Sequence, residues 1–346
     1  MAYTTIDKST DYFITKLWTG NDTAQTITGI PFAPDFVWIK NRSTAESHTL
    51  VNTVVGANNF LKSNATSANN TNSEFLKSFT SDGYTLGSAD EVNNNSNNIV
   101  GWNWKAGTTS GIATNGATVT TPSSYSFNQT SRFSILQYTG TGNTNNKLAH
   151  GLGVKPDFII FKKTSGDINW GIYHKSLTAD YRLLFTTGAK SDDDSFMQDA
   201  EPDSVNINLG YGGLNNTSGA TYIAYCFAPI KGFSKFSVYD GNGNANGPFI
   251  YTGFKPAWVM VKNSEESDNW VLLDNKRDVS PNPHKLALKP NTTSGDDGDF
   301  NTDFLSNGFK IRSNTGLLNN NGIKYIYMAF AEAPLVGSNN IPATAK

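Results

Sequence analysis

A seven-residue run occurs three times along this 346-residue chain, as Pro34-Asp35-Phe36-Val37-Trp38-Ile39-Lys40, Pro156-Asp157-Phe158-Ile159-Ile160-Phe161-Lys162 and Pro256-Ala257-Trp258-Val259-Met260-Val261-Lys262. An internal repeat constrains architecture more tightly than composition does, because each copy has to satisfy the same local rules. Aromatic and β-branched residues between an opening Pro and a closing Lys read as a core strand. Pro stands at its first position, where no ladder donor is missed.

Each run sits in the same frame. Phe13 to Trp18 leads into Thr19-Gly20, Phe133 to Tyr138 into Thr139-Gly140, and Phe236 to Tyr239 into Asp240-Gly241, a strand and a turn each time. A second alternating segment begins at His48, Trp170 or Trp270, always 14 residues after the Pro, across a short polar turn. That is a hairpin signal. Asp82-Gly83-Tyr84 and Asn307-Gly308-Phe309 mark a further turn, and an aromatic strand closes each unit at 99–104, 222–227 and 325–330. Asn- and Asp-rich loops at 64–72, 190–203 and 290–299 vary between copies.

The expected division is an N-terminal lead (1–12), repeat 1 (13–107), a linker (108–131), repeat 2 (132–230), repeat 3 (231–334) and a C-terminal tail (335–346). Short strands with regular turns and no long amphipathic helix predict an all-β chain of three tandem homologous β-sandwich units, jelly-roll or lectin-like. Units of about a hundred residues can each bury a core, so they are expected to behave as beads. The Gly-, Thr-, Ser- and Ala-rich linker is expected to be flexible or to lie on the surface, leaving unit one looser than the pair formed by two and three.

A net charge of -2 and a pI near 6.1 leave no electrostatic footprint for nucleic acid or an anionic membrane as partner. No run of 18 apolar residues occurs, and residues 1–8 lack the basic and apolar regions of a secretion signal, so neither membrane insertion nor Sec export is expected. The single cysteine, Cys226, lies in an apolar run and reads as a buried thiol with no disulfide.

Four histidines fall at no metal-binding spacing, and no Gly-X-Ser-X-Gly elbow occurs. The Gly-rich run at 241–247 leads into a strand instead of a helix, which argues against a phosphate loop. Asp297, Asp299, Asn301 and Asp303 place oxygen ligands at alternate positions and are candidate calcium ligands, with a solvated acidic loop as the competing reading. Trp170 and Trp270, preceded by Asn169 and Asn269, are candidate glycan contacts by stacking beside amide donors; their place in an alternating strand favours core packing.

The repeated Pro-to-Lys run, its lead-ins Gly153-Val154-Lys155 and Gly253-Phe254-Lys255, the Asn-Trp pairs and the closing aromatic strands together resemble a repeated domain of tailed-bacteriophage structural proteins common in marine phages. The resemblance covers Phe13 to Pro334 and brings no catalytic residues with it. It implies a non-enzymatic virion structural protein, a tail-fibre-like or other projecting appendage that contacts the host surface, with a lectin-like sandwich in each unit. Implied partners are other virion proteins, further copies of the chain in a homo-oligomer, expected as a trimer, and a host surface glycan. Synthesis in the host cytoplasm without a signal peptide fits such a protein. Capsid decoration or cement is the alternative, and a glycan-binding module or polysaccharide depolymerase is another. No cofactor is expected beyond the calcium candidate. Unit one departs from the pattern at Ala33, where Lys155 and Lys255 stand in the others, and at His48, in place of Trp. Any binding is expected in the three variable loops, which a β scaffold holds at its surface.

Overall fold

The computed structural model describes residues 3–278 and 282–337. Strand takes 41% of it and helix 5%, and its antiparallel sheets make it an all-β sandwich fold. Three main sheets, of four, seven and four strands, share a repeated four-strand part, twelve strands in all. In chain order they are β1 (Phe13–Thr19), β2 (Phe36–Asn41), β3 (Thr49–Asn52) and β4 (Asn98–Trp104); β5 (Phe133–Thr139), β6 (Phe158–Lys163), β7 (Gly171–His174) and β8 (Thr221–Phe227); β9 (Ser234–Asp240), β10 (Phe254–Asn263), β11 (Val271–Asp274) and β12 (Lys324–Pro334).

The spatial orders of these parts are β1-β4-β2-β3, β5-β8-β6-β7 and β9-β12-β10-β11, one arrangement three times, and the second sheet is extended to seven strands by Ser124–Asn128 beside β5 and by Tyr181–Leu184 and Ser191–Asp192 beyond β7. The repeated run forms β2, β6 and β10, each paired with the closing aromatic strand on one side and the hairpin return on the other. The Pro is not the first strand residue as expected: Pro34 and Pro156 precede their strands by two residues, and Pro256 lies inside β10, where the pairing shifts register around its missing N–H. Smaller antiparallel sheets form the second layers. Gly83–Leu86 lies between Gln25–Ile27 and Leu76–Thr80, Asn146–Ala149 pairs with Asn206–Leu209, and Gly308–Ile311 lies between Phe249–Tyr251 and Thr302–Leu305.

The two faces of each central strand enter different cores, as the two-residue period of a strand requires. Val37 and Ile39 pack under the second layer of unit one, Ile159 and Phe161 under that of unit two, and Val259 and Val261 under that of unit three. Their neighbours Phe36, Trp38, Phe158, Ile160, Trp258 and Met260 all face one common core. Six of the seven tryptophans lie in that core, so most of the chain's large aromatic surface is shared between units. Rings meet across every junction: Phe36 and Tyr225 at 4.5 Å, Trp104 and Trp258 at 5.8 Å, Phe158 and Phe236 at 6.1 Å between centroids.

The expectation of independent beads is therefore corrected. A strand apolar on both faces needs cover on both, and a single second layer covers one. The other main sheets supply the rest. Unit one is not loosely attached either: Asn52 Nδ2 donates to Tyr225 Oη at 2.9 Å, and Trp102 Nε1 donates to Asp274 Oδ2 at 3.0 Å. Within the expected linker, Ser124–Asn128 adds a strand beside β5, while Thr108 and Thr120 bridge to Phe127 and Leu148. That segment lies along the surface of unit two. Residues 1–2 of the expected lead and 338–346 of the expected tail lie outside the described residues.

Each unit repeats one latch that the sequence showed only as an Asn-rich loop. Asn93, Asn216 and Asn319 are buried, and each accepts on Oδ1 from the main-chain N–H of Asn21, Thr141 or Asn242 at 3.1, 2.8 and 2.8 Å. The turn beside each latch needs glycine. A Cβ on Gly20, Gly140 or Gly241 would sit 2.0, 2.4 or 2.2 Å from a carbonyl oxygen of the facing loop.

Candidate functional site

The three positions that fall 14 residues after the Pro meet the neighbouring units around one end of the shared core. Trp170 Nε1 donates to Lys62 O in unit one at 3.0 Å, and Trp270 Nε1 donates to Leu184 O in unit two at 2.8 Å. His48 Nε2 lies 3.2 Å from Lys289 O in unit three. Trp38 Nε1 donates to His48 Nδ1 at 2.9 Å, and because an indole nitrogen only donates, the His48 proton sits on Nε2 and points to Lys289 O. The ring closes: unit two to one, three to two, one to three. His48 departs from the repeat in residue type and keeps its donor. Burial holds its imidazole neutral, well below the usual histidine range.

The lysines that close the repeated runs lie behind this ring. Lys40, Lys162 and Lys262 are fully buried, and burial pushes each ammonium down to about 8. Main-chain oxygens compensate them. Lys162 Nζ donates to Thr66 O of unit one at 2.7 Å and to Ile168 O at 2.5 Å; Lys262 Nζ donates to Thr187 O of unit two at 3.1 Å and to Asn263 O at 2.6 Å. Lys40 Nζ donates within its own turn, to Asn41 O at 2.5 Å and to Thr44 O at 3.4 Å.

At the mouth of the ring is a depression of about 310 Å³ where all three units converge. Asn64, Thr186 and Asn291 stand on its wall, two residues after Lys62, Leu184 and Lys289, and Asn169 and Asn269 join them from the residues before the tryptophans. Phe185 lies at the base, buried, with its ring 5.9, 5.8 and 5.2 Å from Trp38, Trp170 and Trp270. Two wall amides are fixed in orientation. Asn64 Oδ1 accepts from His48 N at 2.9 Å, while Asn291 Oδ1 accepts from Trp270 N at 3.0 Å and its Nδ2 donates to Asn269 Oδ1 at 2.7 Å. The wall thus presents uncharged amides and hydroxyls on a rigid aromatic base, which suits hydrogen bonding to a polar, uncharged ligand.

The candidate glycan contacts are corrected in part. Trp170 and Trp270 are each 1% exposed, so neither ring face is open to a sugar. Their role is to fix the units and set Asn169 and Asn269 on the wall. The candidate calcium ligands do not converge as a set: Asp297 takes Lys289 Nζ at 2.5 Å, Asp303 lies 3.6 Å from Arg312 Nε, and Asp299 stands exposed at a positive φ of 68°. Asn301 hands its carbonyl oxygen to the N–H of Arg312 at 2.8 Å. Among the described residues, no three His, Cys, Asp or Glu side chains gather at metal-binding distances.

Two of the variable loops, 64–72 and 290–299, reach the depression through their first residues. The third, 190–203, does not; unit two supplies Thr186 and Thr187 instead. A spacing legible in the sequence places Asn64 and Thr186 both 30 residues after their Pro, whereas Asn291 stands 35 after its own.

A family model described as a domain of unknown function (DUF7483) matches residues 8–334. No curated protein and no solved structure matches the chain.

Proposed function

The chain belongs to the DUF7483 family, a domain of unknown function, and from that premise we propose that it is a non-enzymatic structural protein of a tailed-phage virion. It serves as a tail-fibre-like or other projecting appendage and contacts the host surface through the depression at the convergence of its three units. One observation carries the reading: three units fold around a common aromatic core and bring amide and hydroxyl groups of all three to one rigid, uncharged wall. Such a wall recognises a polyhydroxylated ligand, and a surface glycan of the host is the ligand class it fits. The repeated motifs described above support the placement on a virion. In the particle the chain assembles as a homo-oligomer with other virion proteins.

Capsid decoration is the second reading, favoured by the closure of the three units on one another into a single body instead of an extended array. Gold-tagged antibody against the purified chain, imaged on intact virions, separates the two. Gold at the tail supports the appendage, gold over the head supports decoration, and virions without gold overturn both.

A further inference from the structure

A second concave surface lies away from the depression, at the outer junction of units two and three. This groove has a volume of about 320 Å³, and Tyr3, Lys175, Lys231, Lys235, Tyr251 and Gly253 are among its lining residues. In a chain of net charge -2, three lysines lining one groove with no carboxylate among the lining residues run against the overall balance. Aromatic rings share the wall. Lys231 Nζ lies 4.2 Å from the Tyr3 ring centroid and Lys235 Nζ 5.4 Å from that of Tyr251.

The cluster is held in place from below. Tyr3 Oη donates to Gly253 O at 2.8 Å, and Lys235 Nζ donates to Tyr251 O at 2.6 Å, which leaves two N–H groups of that ammonium for a ligand. Lys175 pairs with Asp157, which does not line the groove, at 2.5 Å, so Lys231 and Lys235 carry most of its free charge. Burial and the neighbouring charge of Lys175 both disfavour the Lys235 ammonium. An anion seated between the lysines relieves that repulsion. On the wall Tyr251 is 49% exposed, and Phe249, two residues before it on the same strand, is 44% exposed, among the few large apolar side chains left open to solvent. A bare inorganic anion needs no such rings, whereas a sugar presents a C–H face that stacks on them.

We propose that this groove binds an acidic saccharide, a sugar ring bearing a carboxylate, with Lys231 and Lys235 taking the carboxylate and Tyr251 meeting the ring. Charge-assisted hydrogen bonds supply the selectivity for acid, and the aromatic contact supplies the selectivity for sugar. The groove shares no lining residue with the depression, and its binding does not depend on where the chain sits in a particle.

The full chain is titrated calorimetrically with an oligogalacturonate, with a neutral maltooligosaccharide of equal length and with inorganic phosphate, at low and high salt. The uronate is expected to bind at least tenfold more tightly than either comparison ligand and to weaken as salt rises. The double variant Lys231→Gln/Lys235→Gln is expected to lose at least tenfold in uronate affinity at an unchanged thermal midpoint, and Tyr251→Ala to lose severalfold. If the double variant unfolds, Lys231→Gln alone, on an exposed side chain, carries the same expectation with a smaller loss. Equal binding of acidic and neutral sugars, phosphate binding as tight as uronate, or uronate binding untouched by the lysine changes overturns the proposal.

Discussion

Trp170 and Lys62 stand 108 residues apart in the chain, yet the indole N–H of the first donates to the main-chain oxygen of the second at 3.0 Å, across the boundary between units two and one. The Trp270 to Leu184 bond repeats the relation between units three and two, and the His48 to Lys289 contact completes it between one and three. Each unit is thereby both donor and acceptor in one ring around the shared core.

Trp170→Phe keeps much of the apolar ring and removes the donor, leaving Lys62 O without its indole partner. A loss of about 1–3 kcal/mol is expected from an orphaned buried acceptor, and about 3–5 kcal/mol for Trp170→Ala, where a cavity is added. Urea denaturation followed by fluorescence checks both. Because the core is common, the unmodified chain is expected to unfold in one transition; three separated transitions would mean the units are independent.

Asp274 and Arg277 form a fully buried pair at 2.6 Å, and Asp274 also receives the Trp102 indole at 3.0 Å from unit one. Burial alone would raise the Asp274 carboxyl, and the guanidinium of Arg277 outweighs it, so the group stays below the usual carboxylate range. Asp274→Ala leaves Arg277 with Asp296 as its remaining carboxylate partner. A loss of about 3–5 kcal/mol is expected, the cost of breaking a buried pair, and is read from the shift in denaturation midpoint.

Acid is expected to weaken the fold before its carboxylates titrate. Burial drives His48 well below its ordinary range, His150 to about 4 and His174 to about 3. In the unfolded chain these imidazoles take up protons near pH 6.5, so below that pH the unfolded state binds more protons and stability falls. Between pH 7 and 5.5 the loss is about 1 kcal/mol for each buried histidine. Denaturation midpoints at the two pH values test it, and equal midpoints would contradict it.

Alkali acts in the opposite sense at first. Lys40, Lys162 and Lys262 release their protons near 8 when folded and near 10.5 when unfolded, so the folded state binds fewer protons in that window and stability rises with pH. Buried tyrosines reverse the trend. Burial raises Tyr84, Tyr138 and Tyr225, which keep their protons in the folded state while the unfolded chain loses them above about 10. Thermal midpoints are expected to climb from pH 8 to 10 and fall beyond it; a steady fall from pH 8 would contradict the lysine assignment.

The repeated runs make the main strands legible through the hydrophobic run that Lys closes, while Pro marks the start only loosely: Pro34 and Pro156 stand two residues before β2 and β6, and Pro256 is the third residue of β10. What covers the second face was not legible in the same way. Val37 and Ile39 read as core residues just as Phe36 and Trp38 do, and a period of two separates them without saying which layer each meets. A trace was present in residue type: the face that meets the shared core carries Phe36, Trp38, Phe158 and Trp258, while the other carries mostly β-branched side chains. Of the depression, Asn64 and Asn291 lie in loops where the sequence predicts recognition, and Asn169 and Asn269 directly precede the candidate tryptophans. Thr186 shares its 30-residue step from Pro with Asn64, but a threonine after a strand is common, and only the closure of three units brings it to the wall.

Thr187 lines the depression with its side chain exposed, so Thr187→Arg fills the mouth without entering the core. The decisive measurement is an array of bacterial surface polysaccharides probed with the unmodified chain and with Thr187→Arg at matched thermal midpoints. The expected result is that the unmodified chain binds a subset of uncharged polysaccharides and that the arginine weakens those signals by at least tenfold. Equal binding by both proteins, or no uncharged polysaccharide bound by either, would contradict the assignment of the depression as the host-contact site.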